Sequence, residues 1–213
     1  MSLLLTPARD DASWGAIRAL RNCNFRERGM ATQAPTTNSQ KELSGPQWTS
    51  RFPTSTSCDD LAAPFRGDVN RFISAIEAAG GRVRISATYR PKERAYLMHY
   101  SAAIARGSVA PSRVPAMAGV DIEWDHGTDG ESRAAAREMA AAYNIVYPPA
   151  LRSRHTERGA IDMTISGLRN KTVRDASGAE VLIKKDSDLY AVGESYGVKK
   201  LRSDPPHWSD NGD

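Results

Sequence analysis

Cysteine is nearly missing from this chain, with Cys23 and Cys58 the only two in 213 residues. They stand far apart and in no Cys-x-x-Cys or His-paired arrangement, which excludes a disulfide framework and a thiolate zinc site and leaves free thiols. Long apolar runs are missing too. No stretch approaches the roughly 18 apolar residues of a membrane span. The opening MSLLLTPARDD breaks its three leucines at Pro7 with no basic residue before them, so no signal-peptide core is expected. The expectation is a protein made soluble in the cytoplasm that needs another export route for work outside it. Charge of one sign is not concentrated: 29 Lys+Arg against 25 Asp+Glu give a net +4. That excess favours anionic partners in general, among them nucleic acid, membrane surface or an acidic cell-wall polymer, and selects none of them over a plain basic surface. Histidine is scarce as well, with four, so any imidazole chemistry draws on His99, His126, His155 and His207.

The length suits one domain with a sizeable core plus an extension. Residues 13–28, SWGAIRALRNCNFRER, space Trp14, Ile17 and Leu20 as a short amphipathic helix whose basic face could meet an anionic surface or pack on the domain. Residues 30–47 are rich in Thr, Gln, Ser and Pro and read as a linker or disordered arm, with Met30 an alternative start. The chain therefore divides into an N-terminal arm, 1–47, and a folded domain, 48–213.

Within that domain Val69, Phe72, Ile73 and Ile76 recur at i, i+3, i+4, i+7 and stop at Gly80, the pattern of a core helix over 65–80 with a glycine cap. RVRISATYR, 82–90, alternates as a half-buried strand that delivers Arg90 to its end, before Pro91. Helices are expected over 93–106, 131–143 and 187–196, and a strand-like run over 119–127 enters a polar loop. A further strand is expected over 160–166, and a hairpin over 171–184 turning at Asp175 to Gly178. With no internal repeat, helices mixed with hairpin-like strands predict an α+β domain, a small antiparallel sheet flanked by helices.

Two short stretches carry chemistry. In SRHTERGAID, 153–162, period two sends Ile161, Met163 and Ile165 to one face of the strand, and Asp162 to the other between small neighbours that leave room beside it. An Asp in a strand is disfavoured, so it needs a partner: a metal, an arginine or a cap. His155 precedes it in a loop crowded by Arg152, Arg154 and Arg158, a field that keeps an imidazole neutral and able to bind metal. In DPPHW, 204–208, the paired prolines favour polyproline II, whose three-residue turn would send Asp204 and His207 to one side. A catalytic zinc takes three N/O ligands and keeps a fourth position open. His155, Asp162 and His207 supply such a set, with Asp204 left over as a general base. The residues alone leave open, and favour over a metal site, four polar groups with unrelated jobs. His99 reads as a helix-face residue. His126, with Asp121 and Asp125, reads as a capped polar loop or a second ion site.

SRHTERGAID resembles the Ser-x-His-x-x-Gly-x-Ala-x-Asp signature of the zinc D,D-peptidases and L-alanyl-D-glutamate peptidases, the VanX and VanY-like group that includes phage endolysins. Ser153, His155, Ala160 and Asp162 fall on signature positions, while Arg158 stands where the signature has glycine and Gly159 follows one residue late. DPPHW is similar to the group's second motif, an acid three residues before the last zinc ligand, and Asp in place of Glu leans to the endopeptidase branch. SATYRP, 86–91, matches its Ser-x-x-Tyr-Arg segment. The three motifs keep the family's order and span about 60–210.

The resemblance implies a Hedgehog/D,D-peptidase-like fold and a Zn2+ cofactor held by His155, Asp162 and His207. It implies Asp204 as catalytic base, Arg90 binding substrate and stabilising the oxyanion, and Ser153 contacting substrate. The expected activity is a peptidoglycan hydrolase of the endolysin type cutting the L-alanyl-D-glutamate bond of the stem peptide. The alternatives are a D-alanyl-D-alanine carboxypeptidase or a cell-wall-binding module without turnover. Peptidoglycan stem peptides are the implied partner, with no nucleic acid, no stable membrane insertion and a monomeric state. The implied place of action is the cell wall, in the periplasm or outside the membrane.

Overall fold

The computed structural model describes residues 41–146 and 149–213. The helix read over 13–28, Cys23, Met30 and most of the arm lie outside the described residues. In chain order the elements are β1 (Glu42–Leu43), α1 (Phe65–Ala78), β2 (Arg82–Ala87), α2 (Lys92–Ala105), β3 (Ile122–Glu123), α3 (Asp129–Ala142), β4 (Ala160–Ser166), β5 (Lys171–Arg174), β6 (Glu180–Ile183), α4 (Asp186–Ser195), β7 (Lys199–Lys200) and β8 (His207–Ser209). Short 3-10 turns at Pro46–Ser50, Cys58–Asp60 and Pro111–Arg113 fill the connections. The result is the expected mixed α+β fold, a small antiparallel sheet flanked by helices. None of the described helices is long and apolar enough to cross a membrane.

The main sheet runs β2-β4-β8-β7, antiparallel throughout. β4 sits inside it because AIDMTIS can bury one face: Ile161 and Met163 are sealed, while Thr164 opposite is exposed. α1 lies on that face with Phe65, Val69, Phe72 and Ile76 turned inward, each burial contributing roughly 1.5–3 kcal/mol. Gly80, at φ +76°, ends the helix where a side chain would be strained. Val173, Ile183, Leu189, Val192 and Trp208 from the hairpin, α4 and β8 complete this first core. The hairpin turn is held by Asp175, whose Oδ1 accepts from the Ser177 and Ala179 amides and the Ser177 hydroxyl.

A second core forms between α2, α3 and the segment around Trp48, from Trp48, Tyr96, Leu97, Ile104, Trp124, Met139 and Tyr143. α3 starts at Thr128, whose hydroxyl caps the Glu131 amide. Glu42 and Leu43, inside the stretch read as linker, pair in parallel with Ile122 and Glu123 as a two-stranded ribbon. A run almost without large apolar residues carries no periodic signal of this strand.

Candidate metal site

β4 and β8 pair with Asp162 opposite His207, so strand register alone puts a carboxylate beside an imidazole. The third residue arrives from the loop before β4. There the Ser153 carbonyl accepts from the Thr156 amide and hydroxyl, a tight turn that projects His155 inward. His155 Nε2 lies 3.1 Å from Asp162 Oδ1 and 3.1 Å from His207 Nδ1, and His207 Nδ1 lies 3.0 Å from the same carboxylate oxygen. Both histidines are buried and Asp162 is partly so.

The outer nitrogens decide what faces inward. His155 Nδ1 is 2.8 Å from the Thr88 carbonyl, and His207 Nε2 is 2.9 Å from the Asp213 main-chain oxygen. Carbonyl oxygens only accept, so each outer nitrogen carries the proton and each neutral ring turns a bare lone pair to the centre. Two imidazole lone pairs and a carboxylate then converge at 3.0–3.1 Å, which is repulsive unless a cation or shared protons lie between them. Donors about 2.0–2.1 Å from one tetrahedral ion stand about 3.3–3.4 Å apart, close to what is found. The group can hold a metal ion, and its nitrogen and oxygen donors without thiolate suit a borderline divalent cation. The carbonyl partners of the outer nitrogens orient the rings as the second layer of a metal site commonly does.

Burial by itself would raise the Asp162 carboxyl; when protons rather than a metal ion occupy the inner nitrogens, hydrogen bonds and charge from His155 and His207 overcome it and hold the group well below the ordinary carboxylate range. Burial would lower His207, yet Asp162 and the Asp213 oxygen raise it above the ordinary imidazole value. Both shifts record how strongly the site favours positive charge at its centre.

The other site residues proposed from sequence also meet here. Arg90, Ser153 and Asp204 line one cleft of about 440 Å3 with the three candidate ligands. Arg90 is tied to the site through its amide, which donates to the His155 carbonyl at 3.2 Å. Burial pulls its guanidinium below arginine's usual value, against the charges of Asp162 and Asp204, and it stays a cation. Arg90 Nε and Ser153 Oγ are buried without a hydrogen-bond partner, as is Thr88 Oγ1.

Two readings are corrected. DPPHW is not polyproline II: the His207 amide donates to the Asp204 carbonyl at 3.1 Å, closing a turn, and the Met163 amide donates to Pro206. Sheet pairing of His207 bends the proline pair back on itself, and Asp204 still reaches the cleft from the exposed end of the turn. Nor do Arg152 and Arg154 press on His155. Arg154 pairs with Asp210 and Glu157, and Arg152 with Glu157, so the cationic field is spent on carboxylates and hydrogen bonding sets the tautomer.

Arg158, at the signature's glycine position, takes φ +62°, the left-handed conformation that glycine adopts freely. Its guanidinium lies 3.9 Å from the centre of the Tyr89 ring and donates to the Asp60 carbonyl at 3.1 Å, contacts that hold the residue there.

His126 belongs to a polar loop. Its amide donates to Ser132 Oγ, its ring meets Ser44 Oγ at 2.9 Å, and Asp125 caps Gly127. His99 lies on α2 with Nδ1 against the Pro149 carbonyl. Among the described residues the triad is the one cluster able to hold a metal. Sequence reasoning missed Lys200, whose ammonium sits under the Asp204–His207 turn, because nothing in VKKLRS sets one lysine apart from its neighbour. Comparison with protein-family models and with curated proteins finds no match for the chain.

Proposed function

We propose that the protein is a zinc-dependent peptidoglycan peptidase of the endolysin type that hydrolyses the L-alanyl-D-glutamate bond of the stem peptide. The observation that carries this reading is the convergence of three lone pairs at 3.0–3.1 Å in a cleft that also holds an uncommitted carboxylate and a cation. The motif resemblance, in order over 86–91, 153–162 and 204–208, supplies the substrate class.

His155, Asp162 and His207 would hold the zinc. When bound, zinc acidifies water towards a pKa of about 7 and polarises a carbonyl. Asp204, on the rim, takes the proton from the attacking water and returns it to the leaving amine. The guanidinium of Arg90 faces the developing oxyanion with donors already desolvated, so little reorganisation is needed as charge builds. Ser153 offers a buried hydroxyl with no internal partner to a substrate polar group.

The test is mass spectrometry of purified muropeptides digested by the zinc-loaded chain. Cleavage between L-alanine and D-glutamate is expected. Release of free D-alanine with that bond intact would replace the reading by a D-alanyl-D-alanine carboxypeptidase, and binding without any cleavage would replace it by a cell-wall-binding module.

A further inference from the structure

We infer that Lys200 is a positioning residue, an ammonium staple that sets the Asp204–His207 turn against the metal site. The inference rests on the proposed metal-site reading, and its geometry is independent of which bond is cut. An ammonium has three N–H donors and no acceptor. Lys200 Nζ directs them at three main-chain carbonyls of one loop: Leu201, Asp204 and, at 2.9 Å, His207. The carbonyls belong to the residue that enters the loop, the candidate general base and the candidate ligand.

The loop closes on itself at the same points. The Leu201 amide donates to the His207 carbonyl, Asp204 to Leu201, and His207 to Asp204. Three carbonyls drawn to one side of a short loop repel one another, and a cation among them removes that repulsion. The aliphatic stem is fixed as well, since β7 pairs Lys200 with Trp208 and the ammonium lies 5.7 Å from the Trp208 ring. The other charges around Nζ are Asp204 and Asp162, both acidic. Lys199, one residue earlier on the same strand, pairs with Ser209 and makes no such contact with the turn.

The experiment compares Lys200→Met, which keeps much of the stem and removes the donors, with Lys199→Met in the full chain. The first readout is amide hydrogen exchange at Asp204 and His207, which needs neither metal nor substrate. Exchange at both amides is expected to quicken in Lys200→Met and stay unchanged in Lys199→Met. The second is cobalt(II) titration: affinity falls about 10- to 100-fold, as when the outer support of a ligand is lost, and the visible band changes shape. The third is kinetics on muropeptides, where kcat falls while KM holds, because Arg90 and Ser153 sit on other segments. Where Lys200→Met fails to fold, Lys200→Arg carries the comparison; its planar fork keeps the charge but fits three converging carbonyls poorly, so partial recovery is expected. Native exchange rates and an unaltered cobalt band in a folded variant would overturn the staple. A native chain that binds cobalt but cuts no peptide would instead sink the peptidase reading and leave Lys200 decided by the first two readouts.

Discussion

The two cores of this molecule treat polar groups in opposite ways. The helical one, around Trp48, α2 and α3, threads polar atoms through its interior and satisfies them internally. Tyr96 OH donates to the Pro115 carbonyl and accepts from Trp124 Nε1, and Tyr143 OH donates to the Trp48 carbonyl. The sheet core is largely aliphatic, and its polar side chains gather at one end of β4 and β8. All three buried side-chain atoms found without a partner among the described residues, on Thr88, Arg90 and Ser153, lie beside that end. Native proteins leave few such groups unpaired, and those they do leave tend to mark sites where the final partner comes from outside. One core satisfies its polar groups internally; the other leaves three of them unpartnered beside a cluster that can hold a metal ion.

Removing a ligand should break this contrast most completely. His155→Ala or His207→Ala is expected to abolish stoichiometric zinc binding and hydrolysis together, while the helical core keeps the near-ultraviolet signal of Trp48 and Trp124. Zinc content measured on the purified variants checks this, and full retention of metal would remove the residue from the ligand set. Asp204→Asn separates metal from turnover: zinc should stay and kcat fall by about 10^2- to 10^4-fold, the usual contribution of a general base. Unchanged kcat would place the proton transfer elsewhere.

Core truncations test whether the halves are energetically distinct. Phe72 packs its ring 5.4 Å from that of Trp208, the neighbour of His207, so Phe72→Ala should cost about 3–5 kcal/mol and weaken zinc binding as well. Leu97→Ala, sealed in the helical core, should cost about 2–5 kcal/mol and leave the metal affinity of the folded protein as it was. Urea unfolding with and without zinc reads both. An equal loss of zinc affinity in the two variants would mean that the cores act as one.

Acidity distinguishes the empty site from the filled one. Without metal, the raised His207 contributes stability that is full below its unfolded value and is lost as pH rises through its folded value. Asp162, held low, contributes above its unfolded value and loses that contribution as pH falls towards its depressed one. Zinc reverses the first dependence, because it needs the Nδ1 lone pair that the proton occupies. Melting of the chelated protein should therefore fall as pH rises above the ordinary imidazole value of about 6.5, and the increment that zinc adds should widen over the same range. A zinc increment that does not change with pH would mean that no imidazole proton is displaced.

Much of this is legible in the sequence, and what is not shares a physical cause. Alternation in AIDMTIS placed Asp162 opposite a sealed face, and the helical spacing of Val69, Phe72 and Ile76 located α1, because local periodicity records which side is buried. Pairing across the chain is not local. That DPPHW turns back to join β4 and that Arg154 is consumed by Asp210 fifty-six positions away depend on contacts no window of sequence contains. Residues 42–43 escaped because a two-residue strand is stabilised by its neighbour and carries no pattern of its own.

Arg158 tests the finest point of the comparison, the seam that ties the metal loop to the strand end before Arg90. The position requires φ near +62°, which costs an L residue roughly 1–2 kcal/mol relative to glycine. The guanidinium stacked on Tyr89 returns about 0.5–1 kcal/mol, and its bond to the Asp60 carbonyl a similar amount. The two sides nearly cancel, so Arg158→Gly should change stability by less than about 1 kcal/mol in chemical denaturation and leave zinc affinity untouched. Arg158→Val loses the stacking and keeps the strain, worsened by a branched Cβ, and should be the less stable of the pair by more than about 1 kcal/mol. If the valine variant equalled the glycine one, backbone conformation would not be what this position demands.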